Sequence, residues 1–65
     1  MDQVEPIMQF FAYDHLPPPL RDVSMVYRGI AEQLVTVLPR NAERTVALRK
    51  LLESKDAAVR AMLAK

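Results

Sequence analysis

A chain of 65 residues forms one domain at most, and it buries too small a share of its surface to hold together without disulfides, metal or association. It has no cysteine and a single histidine, which excludes a disulfide framework, thiolate metal sites and an imidazole cluster, so association is the remaining source of stability. The formal charge of +1 is unevenly placed: residues 1 to 22 carry −3, residues 41 to 65 carry +3, and the basic end is the part suited to an anion.

The opening stretch, residues 1 to 9, is weakly patterned, and Glu5-Pro6 favours an extended backbone there. It contains neither the basic start nor the hydrophobic segment of a secretory signal, and no apolar run is long enough to span a bilayer. A cytoplasmic protein without a membrane partner is expected. "FFAYDHLPPPL" follows and holds three of the four aromatics, Phe10, Phe11 and Tyr13, together with His15. Pro17, Pro18 and Pro19 lack amide donors, so residues 1 to 19 are expected to be extended and to end at a helix start, with Pro19 suited to the first helical position. Phe10 and Phe11 are expected to form a lid over a small core, while Tyr13 and His15, being amphipathic, can offer a face to a flat ligand. For His15 a role in a turn beside the prolines stands next to that reading.

From residue 20 to 38, Leu20, Val23, Tyr27, Ile30, Leu34 and Val37 recur at alternating spacings of three and four, which predicts a helix with a near-heptad seam. Val26, Ala31, Val35 and Leu38 widen the stripe. Ser24 and Asp22 are alternative caps for its start. Gly29 lowers helix stability by about 1 kcal/mol relative to alanine, and it suggests close approach of another backbone. Arg28 has two readings, a rim salt bridge with Glu32 and a phosphate contact.

Pro39-Arg40-Asn41 breaks the pattern, with Asn41 placed to cap a second helix over residues 42 to 63, and so short a joint implies an antiparallel hairpin. Leu48, Leu51, Ala58 and Met62 form one seam of this helix, with Leu52, Val59 and Leu63 beside it. Asp56 and Arg60 are spaced for an i, i+4 ion pair. The fold class is therefore all-α: a hairpin of helices 20 to 38 and 42 to 63, preceded by a short extended segment. Its apolar arcs are wider than one partner helix covers, which implies a homo-oligomer.

Catalytic patterns are missing. One glycine cannot make a phosphate loop, Ser24 and Ser54 stand in no nucleophile elbow, and the carboxylates form no acid–base pair. No enzyme, cofactor or metal is expected. Binding is better supported. Arg44, Thr45 and Arg49 gather near the positive end of the second helix, a combination that suits phosphate, with a solvated charged face pairing to Glu53 as the other reading. Lys55 falls on the apolar seam, where a lysine snorkels or, at a symmetric interface, faces an anion. Duplex nucleic acid is not an expected partner, because the net charge is small and no recognition helix stands out.

The order Phe11, Tyr13, His15 and Pro17, then Ala31 eight residues before Pro39, then Glu43, Thr45, Ala47, Leu48 and Leu51, resembles the helical-hairpin domain of phage anti-CBASS and anti-Thoeris nucleotide sponges over residues 11 to 58. Asp14, the triple proline and the charged "SKDAAVR" depart from that pattern. The resemblance implies a phage-encoded, non-enzymatic homo-hexamer that sequesters cyclic nucleotide messengers in the infected bacterium. On that basis Tyr13 stacks on a base, Arg28 meets phosphate, and Arg44, Thr45 and Arg49 belong to pockets between subunits; Phe11, His15 and Lys55 are further candidates. A second expectation is a small helical module that binds and inhibits a host protein.

Overall fold

The computed structural model describes residues 6–64. The expected extended lead-in ahead of Pro6 falls outside the described residues, as does Lys65. Three helical elements follow one another: a 3-10 helix, Pro6–Phe11, then α1, Pro18–Val37, and α2, Ala42–Leu63. The long helices pack along each other as a hairpin, and the 3-10 helix crosses both.

The expectation of an extended segment before the prolines is corrected for Pro6–Phe11. Pro6 starts the 3-10 helix at a position where no amide is needed, and the three-residue turn stacks Met8 under Phe11 on one edge. Both are buried, with Ile7 beside them. A 3-10 bond from Ala12 N to Gln9 O (3.3 Å) closes the element, and Leu16 N donates to Tyr13 O (3.1 Å) to make a turn with Asp14 and His15 at its tip.

α1 begins two residues before the expected Leu20, with Pro17 as its N-cap and Pro18 and Pro19 in its first turn. Prolines fit there because the first amides of a helix have no intrahelical acceptor. Pro17 O accepts the first helical bond from Arg21 N at 2.8 Å. Asp22 and Ser24, expected as alternative caps, lie inside the helix, and no side chain caps its start. Leu38 N donates to Leu34 O (3.0 Å) at the other end, where the following Pro39 disfavours continuation. Asn41 caps α2 as expected, its Oδ1 accepting from Arg44 N at 2.9 Å.

The core consists of Ile7, Met8, Phe11, Ala31 and Leu48, with Tyr27, Leu34, Val35, Leu51 and Leu52 packed around it. Three of these five central residues belong to the 3-10 helix, so that short strap closes the groove between the long helices. On α1 the expected seam residues Leu20, Val23, Tyr27 and Leu34 are half-buried as expected, but Ser24 and Ala31 are the fully buried positions in place of Ile30 and Val37, and Val35 and the cap residue Leu38 are half-buried with them. Ile30 and Val37 face outward, as do Met25 and Val26. The small residues Ser24 and Ala31, both fully buried, leave room for the strap and α2 to come close, whereas the larger Ile30 and Val37 would hold them apart. On α2, Leu48, Leu51 and Ala58 keep their expected inward placement, but Met62 is half exposed. Gly29 has no neighbour within 4 Å of where a Cβ would stand, so within the chain no other backbone approaches it. The expected Asp56–Arg60 ion pair is not formed among the described residues; Lys50 meets Glu53 at 3.7 Å instead.

Candidate functional site

Two cations occupy the inward seam of α2, and each is used by the backbone of another element. Arg44, only 7% exposed, sends Nη1 to Val35 O (3.1 Å) and Leu38 O (3.2 Å), carbonyls that the end of α1 leaves without helical partners. Lys55, 9% exposed, donates from Nζ to Phe10 O at 2.6 Å near the C-terminal end of the 3-10 helix. A cation is well placed at both points because helix C-termini carry partial negative charge. Arg28 does related work from α1: its Nε pairs with Glu32 at 2.9 Å, and its Nη1 reaches Met8 O at 3.4 Å. The salt-bridge reading of Arg28 is therefore the geometry found.

Three of the candidate ligand residues thus support the fold in the single chain. Phe11 has no exposed surface and lies in the core, as the lid reading supposed, which leaves it no open stacking face in the single chain. Its neighbour Phe10, expected to share the lid, is instead 55% exposed. Tyr13 is half-buried at the start of the turn, and His15 is exposed within it, as the turn reading supposed.

Thr45 and Arg49, one turn apart on α2, remain on the outside. Together with Arg40, Asn41, Pro6 and Ile7 they border an open depression of about 460 Å³. Among the described residues no carboxylate lines it, and neither Arg40 nor Arg49 has a hydrogen-bond or ion-pair partner there. Arg44, expected to act with Arg49, does not line it. Arg40 takes that place. Sequence spacing assigned Arg40 only to the helix break; the signal that would have found it is its position just ahead of the Asn41 cap, facing the same helix start as Thr45. Two guanidinium forks and a hydroxyl around one concavity suit an oxyanion.

A second depression, about 480 Å³, lies on the opposite stretch of α2 where the strap and its turn cross it, and Lys55, Arg60 and His15 line it. Tyr13 borders neither depression. No group of acidic residues or histidine that could hold a metal ion occurs among the described residues, and no described helix is long and apolar enough to cross a membrane.

Comparison of the chain with protein-family models, with curated proteins and with solved structures gives no match, so its site rests on its own residues.

Proposed function

We propose that this chain is a non-enzymatic sponge of phage origin that sequesters cyclic nucleotide messengers, of the cyclic di- or trinucleotide or cyclic ADP-ribose type, in the cytoplasm of an infected bacterium and thereby blocks CBASS or Thoeris signalling. The observation that carries it is the depression bordered by Arg40, Thr45 and Arg49, where among the described residues the two guanidiniums have no partner and no acid joins the lining. Phosphodiesters carry one negative charge each and need such donors. The depression is open, and Tyr13 stands away from it. A closed pocket therefore needs a second copy to supply its other wall, and outward Met25, Val26, Ile30 and Val46 offer apolar surface for association as a homo-oligomer, a hexamer by resemblance. Repeated phosphates in a ring then meet the same arginines from several subunits.

Titration calorimetry with a panel of cyclic di- and trinucleotides and cyclic ADP-ribose forms tests the reading. At least one should bind, and the paired change Arg40→Ala with Arg49→Ala should weaken it by roughly a hundredfold, the loss of two charge-assisted contacts. A folded oligomer that binds none of them rejects the sponge. That result would favour the second reading, a helical module that inhibits a host protein, which the exposed Phe10 supports.

A further inference from the structure

Lys55 is a largely buried cation with no carboxylate partner among the described residues. An ammonium has three donors, and the only partner of Lys55 among the described residues is the Phe10 carbonyl, a neutral group. Burying a charge is expensive unless it is paired, and buried lysines ordinarily have an acid beside them. Asp56 is the nearest acid in sequence and borders the same depression, yet it makes no ion pair with Lys55. The Phe10 carbonyl, near the partly negative end of the 3-10 helix, takes one donor and leaves the other two without a partner among the described residues.

We infer that the depression between the strap and the second half of α2 is a binding site for a small organic monoanion, a carboxylate carried on a flat apolar body, with Lys55 receiving the anionic head. Among the described residues its lining sets Lys55 and Arg60 against Asp56, an excess of one fixed positive charge, which matches a carboxylate better than a doubly charged phosphate. Leu16, Leu52 and Val59 supply apolar wall for the body. The volume of about 480 Å³ lies within the range in which small-ligand sites fall, and the mixture of apolar wall with a few polar groups is their usual make-up. This site is separate from the Arg40, Thr45 and Arg49 depression and does not rest on the nucleotide reading.

The test uses 2-naphthoate as the probe and 2-naphthalenemethanol as its neutral counterpart, followed by amide chemical shifts and thermal melting of the full chain. Naphthoate should shift amides of residues 52–60 and 10–16 saturably and raise the melting temperature by mass action, while the alcohol does neither. Lys55→Met keeps the apolar stem and removes the charge, and it should weaken naphthoate by roughly tenfold or more with the helical spectrum intact. A site role and a purely structural role differ here. If Lys55 served only to hold the Phe10 carbonyl, the variant would melt lower and naphthoate would have no effect on the wild type. Should Lys55→Met not fold, the exposed Arg60→Gln decides, with a several-fold loss expected and an unchanged affinity overturning the site. Absence of saturable shifts in the wild type overturns it too, and so does a response confined to Thr45 and Arg49, which would place the anion in the other depression.

Discussion

Ser24 has a fully buried hydroxyl with no hydrogen-bond partner among the described residues, at a position where the seam of α1 tolerates only a small side chain. An unsatisfied buried polar group costs more than it returns, so Ser24→Ala should raise stability by about 1 kcal/mol in denaturant unfolding. Ser24→Val should lower it by about 1 to 3 kcal/mol, because the extra methyl groups must push the strap or α2 away. Gly29 is the contrasting case, a helical glycine facing open space without a positive φ. Gly29→Ala should therefore stabilise the chain by about 1 kcal/mol through helix propensity, and a loss would mean that another chain comes close there. Gly29 is legible in the sequence as a helix-weakening residue, and nothing packed against it within the chain requires a glycine. Spacing shows where a glycine is; only the neighbours show whether it is needed.

At the level of elements, the strap is held by apolar burial from inside and by Lys55 and Arg28 on its carbonyls from outside. Phe11→Ala empties the middle of the core and should cost about 3 to 5 kcal/mol, close to the entire stability available to so small a domain, with collapse visible in the helical circular dichroism. Arg44→Met should cost about 2 kcal/mol in chemical denaturation, because its side chain fills the same space but leaves Val35 O and Leu38 O without their donor. The hairpin, its break and the Asn41 cap were readable from periodicity and proline placement. The strap was not, since six residues with no repeat give no period to read, and a 3-10 turn is set by what it packs on.

For the whole molecule, two helices and a strap bury one stripe each and leave Met25, Val26 and Ile30 on one outer face with Val46, Met62 and Leu63 on the other helix. Light scattering at micromolar concentration should give a mass of several chains, and Ile30→Glu should reduce it, because a charge placed in an apolar contact is costly to desolvate. A monodisperse single chain with full helicity would remove the need for a shared pocket. The binding reading belongs to this scale: Thr45 and Arg49 sit together on one chain, while Tyr13 stands apart and can join them only through a neighbouring copy.

Local chemistry in the sequence determined the two long helices, the joint between them and the cap at Asn41, since each depends on residues within a few positions of one another. Tertiary structure alone decided that Ser24 and Ala31, rather than Ile30 and Val37, fill the inward line of α1 beside Leu20, Tyr27 and Leu34, because small side chains permit a close approach that apolar spacing cannot express. It also decided the fate of the cations. Arg44 and Lys55 carry the same charge as Arg40 and Arg49, but carbonyls at the ends of other elements claim the first pair, and solvent is left to the second. An orphan carbonyl is created by where a helix stops in space, so no reading of the α2 sequence alone can say which basic residue will answer it.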